Sequence, residues 1–310
     1  MKSGMWIGGL AGLLILAGCG DKAANEPSPT PVVSEQAEAT PVVTETPEEQ
    51  PSATDQGVNQ VTFSQLDNVF GFANEAGDQL ITIPNENGEA LDNPEQFNSA
   101  IGNDSEQVEI EFVRHQEADE QDTNRQTAGN FTHMAGYLYK VKSGKLLSNK
   151  SYLLAREGVV SKESLVGLTG SRQADGQYLS ADANTITQVE ALKNRKVTKS
   201  SLLAESPEAK IALFVFERDG DDMLASIAYI SGDQVLFKDF PATYNESGTW
   251  RVDGGDDPGL FEVSFLAHSD EGLLLGIAWA GAEGENLYVL QEKDGALQDT
   301  DLTGGRYWSP

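Results

Sequence analysis

The chain has 310 residues, with 49 acidic and 21 basic side chains, a formal net charge of −28 at pH 7, and a single cysteine. An acidic excess of this size repels phosphate backbones and anionic headgroups, which excludes nucleic acid as a partner. One cysteine excludes an internal disulfide framework, so any folded part must rely on its apolar core and be large.

The chain opens with Lys2, an apolar run from Met5 to Leu16, and then Ala17-Gly18-Cys19. About a dozen apolar residues fall well short of the roughly 20 that cross a bilayer as a helix, so the segment reads as an export signal. On Leu16-Ala17-Gly18-Cys19 it resembles a bacterial lipoprotein signal peptide. That resemblance implies removal of residues 1–18, diacylglycerol and palmitate on Cys19, and a protein held at the extracytoplasmic face of the membrane. Two acyl chains, at about 0.8 kcal/mol per buried methylene, hold a protein where one binds only marginally. Gly20 stands where the resemblance places Asp in lipoproteins retained at an inner membrane. The competing reading is an ordinary secretory signal with a chance cysteine. With Cys19 acylated, the mature chain has no thiol nucleophile and no thiolate metal site.

Residues 19–60 read as a disordered acidic tether. Residues 20–60 hold six of the twelve prolines, no aromatic side chain, and eight acids against Lys22 alone. Thr30-Pro31-Val32-Val33 recurs as Thr40-Pro41-Val42-Val43. Such a segment buries too little apolar surface to offset its ordering entropy. It spans on the order of 100 Å if extended and roughly 35 Å as a loose coil.

Residues 61–310 predict one mainly β (α+β) extracytoplasmic domain, with a candidate division near 155. The expected architecture is antiparallel meander sheets with one or two short helices. Pro94 to Ile101 reads as a short helix. Val108, Ile110 and Phe112 alternate with acids, as in a half-buried strand. Tyr137 to Val141 and Leu146 to Leu154 flank Ser143-Gly144 and read as a hairpin. Asn184 or Thr185 caps a second helix carrying Ile186, Val189 and Leu192, with Lys193 to Lys196 at its C-terminal end. Beyond it, Ile211 to Phe216, Met223 to Ile230, Val235 to Phe237, Leu260 to Leu266, Leu273 to Trp279 and Leu287 to Leu290 form a meander divided by polar Gly/Asp turns. Trp250, Trp279 and Trp308 all fall there, which places the main core in this meander and assigns the tryptophans to packing. An aromatic–apolar–Gly–apolar phrase near Tyr139, Tyr229 and Tyr288 suggests propeller blades as an alternative, without a strict period.

Charge is segregated along this domain: net −13 over residues 61–139, +6 over 140–199 and −15 over 200–310. Either the basic segment packs between the acidic ones, or Lys193, Arg195, Lys196 and Lys199 form an anion-binding patch for a wall polymer or headgroup. Asp219, Asp221 and Asp222, and Asp253, Asp256 and Asp257, each gather three carboxylates in a glycine-containing loop. That is the hard-oxygen chemistry of calcium, although neither loop has the Asp-x-Asp-x-Asp-Gly spacing and both read equally as turns. No other cofactor is expected.

Catalytic motifs are scarce. His115, His133 and His268 show no zinc-hydrolase spacing. His268-Ser269-Asp270 has triad residue types, but adjacent strand residues point to opposite faces. No Gly-x-Ser-x-Gly elbow or phosphate loop occurs. These observations favour a lipid-anchored lipoprotein with a non-enzymatic domain binding a ligand or envelope partner. One alternative is a lipid-anchored, carboxylate-dependent hydrolase of wall or glycan substrates, recognisable by a deep cleft holding two acids. Another is a module docking on a membrane protein.

Overall fold

The computed structural model describes residues 60–83, 90–173, 176–246, 248–251 and 256–308. The export signal, Cys19, the tether up to residue 59, and Asp253 lie outside the described residues. The described residues group as one compact unit. No described helix is long and apolar enough to cross a membrane.

The first six strands are β1 (Phe70–Ala73), β2 (Gln79–Thr82), β3 (Phe97–Gly102), β4 (Glu106–Gln116), β5 (Gly136–Ser143) and β6 (Ser151–Arg156). They close into a barrel in the order β1-β2-β5-β4-β3-β6, with β6 pairing back onto β1. Alternation along each strand fills the interior with Leu80, Phe97, Val108, Ile110, Tyr139 and Leu154. The opposite set, including Phe70, Phe72, Ile81 and Leu153, packs outward on the next layer.

Two expectations fail in this region. Pro94–Gln96 forms a single 3-10 turn, and Phe97 begins strand β3. Phe97 and Ala100 are buried inside the barrel, where pairing with β4 and β6 overrides a weak helical tendency. Strands β5 and β6 do not form a hairpin, since β5 lies between β2 and β4 while β6 lies between β3 and β1. After Gly144 the chain leaves the sheet, Leu146 enters the barrel interior, and its N–H donates to Gly77 O. A buried leucine in the connection thus sends the chain to the far side of the barrel.

The remaining chain forms β7 (Thr169–Gly170), helix α1 (Ala183–Lys193), β8 (Val197–Glu205), β9 (Lys210–Phe216), β10 (Asp222–Ser231) and β11 (Gln234–Thr243). It ends in β12 (Phe261–Ser269), β13 (Gly272–Ala280), β14 (Gly284–Lys293) and β15 (Ala296–Tyr307). These make two antiparallel sheets, β11-β10-β9-β8-β7 and β12-β13-β14-β15. Asp182 caps α1, its carboxylate accepting from the Asn184 and Thr185 N–H groups, two or three positions before the expected caps. Val189 of α1 is buried against Phe214 and Ala228, whereas Leu192 is exposed.

The four-stranded sheet is central. Leu273 through Ala278 of β13, Gly276 included, read as a continuous apolar run because both faces of the sheet are covered. One face meets the barrel through Phe265, Leu274, Leu287 and Val289. The other meets the five-stranded sheet through Val263, Leu275, Ile277 and Leu290, opposite Leu213, Ile227 and Leu236. A register shift between Val263 and Phe265 puts these two residues, which plain alternation would keep together, on opposite faces. At the barrel contact, a Cβ on Gly304 would lie 2.8 Å from the Phe70 ring, so only glycine admits that approach. A barrel and two stacked sheets do not make a ring of blades, which removes the propeller.

Candidate functional site

The two stacked sheets separate at one end and enclose a cavity of about 760 Å³. Register builds its floor. Phe261, Trp279, Asn286 and Gly305 lie side by side across β12 to β15, and Val263, Ile277, Tyr288 and Thr303 form the next row. Cross-strand neighbours share a face, so both rows point toward the five-stranded sheet. From that sheet, Lys238 and Phe240 of β11 complete the lining. Trp250 and Arg251, in the connection from β11 to β12, enter from the side.

Four rings pack together here. Phe261 stacks on Trp279 at 5.3 Å and on Trp250 at 5.8 Å, and Phe240 lies 5.4 Å from Trp250. The Arg251 guanidinium lies over Trp279 at 4.1 Å and donates from Nη2 to Ala280 O at 2.9 Å. A cation desolvated on an aromatic face is stabilised by the ring quadrupole, and the planar guanidinium stacks best. Trp250 and Arg251 are held by Asp256, whose Oδ1 accepts both their backbone N–H groups at 3.0 and 3.3 Å. Burial pushes the Asp256 carboxyl above its ordinary value, opposed by those two bonds.

Two carboxylates stand at the cavity's edge, each already engaged. Asp299 lies on its lip, whereas Asp239 alternates with Lys238 and Phe240 and so turns its side chain to the opposite face, toward α1. Lys193 donates to both oxygens of Asp239, at 2.6 and 2.7 Å, and Ser226 Oγ donates to the same carboxylate. Lys238 and Asp299 form an ion pair that bridges the two sheets. The carboxyls that burial raises, Asp104 and Asp256, both lie outside the lining.

Three polar atoms on the lining are buried without hydrogen-bond partners: Trp250 Nε1, Trp279 Nε1 and Tyr288 Oη. Burial raises the Tyr288 phenol well above the ordinary tyrosine range. Leaving such groups unmet costs about 1–3 kcal/mol each.

Neither family models, curated proteins nor solved structures match this chain. Site geometry therefore carries the functional argument.

The cationic residues do not converge on one open patch. Lys193 is drawn into the Asp239 pair and stacks over Phe237 at 4.0 Å. Arg195 donates to the Glu217 and Asp222 carbonyls, at 2.6 and 2.5 Å, and so clamps the β9–β10 hairpin. Lys196 pairs with Glu190 at 3.1 Å, and exposed Lys199 lies near Asp256. Elsewhere the basic segment meets both acidic ones: Arg156 pairs with Asp67, Lys140 with Glu111, and Lys150 with Glu262.

The acidic loops serve the backbone. Asp219 and Asp222 exchange main-chain hydrogen bonds at 3.0 and 2.9 Å, and the Asp221 carbonyl accepts from Tyr244 N at 2.8 Å. Asp257 Oδ1 accepts from Gly259 N at 2.8 Å. Among the described residues no group of three or more His, Cys, Asp or Glu side chains is placed to hold a metal. His268 is exposed, Ser269 Oγ donates to Gly272 O, and Asp270 accepts from Phe63 N, so the three residues close a hairpin end.

Sequence reasoning counted the tryptophans but assigned them only to packing, and it missed Tyr288, Asn286 and Gly305. The available signal was local: Trp250-Arg251, Trp279 and Gly304-Gly305 all fall among the last 61 residues.

Proposed function

We propose that this chain is a lipid-anchored extracytoplasmic binding protein, held to the membrane through Cys19 and a tether over residues 19–60. Its folded part receives a ligand in the cavity between the two sheets and performs no chemistry on it. One observation carries this reading: an aromatic-walled cavity of about 760 Å³ lies between the two sheets, and the carboxylate on its lip, Asp299, is tied to Lys238. The cavity volume falls within the range of small-molecule sites, about 300–1,000 Å³.

The hydrolase alternative needs one carboxyl kept protonated and a second one free beside it. Asp239 and Asp299 offer no such pair, because Asp239 faces α1 with both oxygens bonded to Lys193 and Asp299 is paired with Lys238. An anionic wall polymer on the basic segment is disfavoured by the engagement of Lys193 and Arg195. The proposed role uses no cofactor. Calcium at the Asp219–Asp222 turn is checked by calorimetric titration, where heat accompanied by a raised melting temperature would reinstate it.

A cell-envelope extract tests the proposal. The extract should raise the melting temperature of the intact protein, and chromatography should recover its components unchanged. New cleavage products dependent on Asp239 or Asp299 would overturn the binding role in favour of hydrolysis. Intact mass should show Cys19 carrying diacylglycerol in membrane-derived material, and an unmodified sulfur would remove the anchor.

A further inference from the structure

The edges of the two stacked sheets are finished in different ways. Along β12 the outer backbone is filled by other segments of the chain. Ser105 N donates to Ser264 O at 3.0 Å, Leu266 N to Ser105 Oγ at 2.9 Å, and Val166 N to Leu266 O at 2.8 Å. Val61 N continues the series to His268 O at 2.9 Å. On β11, Pro241 supplies no N–H, which blunts that edge.

The outer edge of β15 is met at Tyr307. Gln126 donates its N–H to Tyr307 O at 2.7 Å, and its Oε1 accepts from Tyr307 N at 2.6 Å. Both main-chain groups of Tyr307 therefore point away from β14. Pairing with β14 runs without a register shift from Gly284–Tyr307 to Tyr288–Thr303. Gly305 and Thr303, two and four positions before Tyr307, thus turn their main-chain groups outward as well. Both residues are exposed, and no described residue bonds these outward groups.

A row of N–H and C=O groups repeating about every 7 Å is complementary to another extended backbone. The row borders the cavity, where Thr303 and Gly305 share the lining with Phe240 and Trp279. A strand added there carries alternate side chains over the aromatic wall. Charge selects among strands. Asp299 and Asp301 are exposed on β15, and residues 200–310 carry net −15. A second copy of this chain brings the same acids, and residues 20–60 bring eight acids against one base. Both are repelled, whereas a basic segment is attracted.

We propose that the β15 edge at Thr303 and Gly305 receives an extended, lysine- or arginine-bearing segment of a partner protein, added as a further strand of the central sheet. This rests on the cavity being the binding site and adds the class of partner.

The intact protein is used to select from a displayed library of random peptides. Bound sequences should be enriched in lysine and arginine, and amide exchange at Thr303 and Gly305 should slow in the complex. Methylating one of the two alternate sets of peptide backbone nitrogens should weaken binding at least about tenfold, and the other set should matter little. Gly305→Pro removes one edge N–H and should weaken binding to the same degree. Gly305→Ala keeps that N–H, its Cβ meeting nothing nearer than Glu285 O at 3.6 Å, and should bind as wild type. Strand addition is overturned if both methylated peptides bind as tightly as the parent, or if exchange at Thr303 and Gly305 is unchanged. Enrichment of acidic sequences overturns the basic partner, as does a dimer in sedimentation that Gly305→Pro abolishes. An empty selection beside a melting shift from the envelope extract removes the peptide and leaves the cavity as the site. No response in either experiment removes both readings.

Discussion

The barrel and the paired sheets both take tyrosine hydroxyls out of water and treat them in opposite ways. In the barrel, Tyr139 Oη donates to Pro94 O at 2.9 Å, and Tyr152 Oη accepts from Leu147 N at 2.8 Å. Burial raises both phenols, Tyr152 to about 12. Tyr288, between the sheets, is raised by the same cause, yet its hydroxyl has no partner. A closed barrel has no free sheet edge, and this one is filled by its own side chains, Leu146 among them. Two stacked sheets do part, and there the protein keeps polar atoms that folding alone does not use.

The largest expected effect concerns the junction between these regions. Arg306 of β15 donates to Glu285 at 2.8 Å and to the Asn149 side chain and carbonyl at 3.0 and 2.9 Å, while stacking over Phe72 of the barrel at 4.9 Å. Arg306→Met leaves a buried carboxylate unpaired and should cost about 3–5 kcal/mol in urea unfolding. A loss below about 1 kcal/mol would mean the regions are joined by apolar packing alone.

The tyrosines test the comparison itself. Tyr139→Phe breaks a satisfied bond and should cost about 0.5–1.5 kcal/mol. Tyr288→Phe removes an orphan hydroxyl and should leave stability equal or raised while weakening ligand binding. Equal losses in the two variants would end the distinction.

On the outer face of the five-stranded sheet, Asp182→Ala should cost about 1 kcal/mol through the lost cap of α1. The bond from Lys210, and then those from Thr185, hold the Asp182 carboxyl below its ordinary 3.8. A folded-state value below the unfolded one contributes stability above the unfolded value and loses it as pH falls through the folded value. The gap between wild type and Asp182→Ala should therefore shrink below about pH 4.

The smallest effect has the opposite sign. Burial, then Glu262 and Glu106, raise the Asp104 carboxyl against the pull of Lys150. A raised carboxyl costs stability as pH climbs from the unfolded value through the folded one. Asp104→Asn should raise the melting temperature at pH 7, with no gain below about pH 3.8. Asparagine also suits the left-handed backbone there, at φ 62°.

Local signals were legible where they were strong. The runs in β12, β13 and β14, the β9–β10 hairpin around Asp219-Gly220-Asp221-Asp222, and the helix before Lys193 were all read from residue pattern. Barrel closure was not, because it depends on pairs such as Phe70 with Leu153, more than 80 positions apart. Leu146 looked like the start of a strand and became a plug in the barrel. Within the site, Trp250 and Trp279 were visible as aromatics, but Trp279 joins Phe261, Asn286 and Gly305 in one row only when β12 to β15 align in register, and Trp250 meets it from the β11–β12 connection.

Sequence by itself determined the β-rich class, the absence of an internal disulfide, the acid–base–acid charge order, and the export and acylation expectation at Cys19. These depend on composition and on neighbours close along the chain. Tertiary structure alone decided that the basic segment is spent on ion pairs and that the tryptophans wall a cavity beside an open glycine floor. Both outcomes are set by which distant strands pair and which faces they cover, a choice made by the folded chain as a whole.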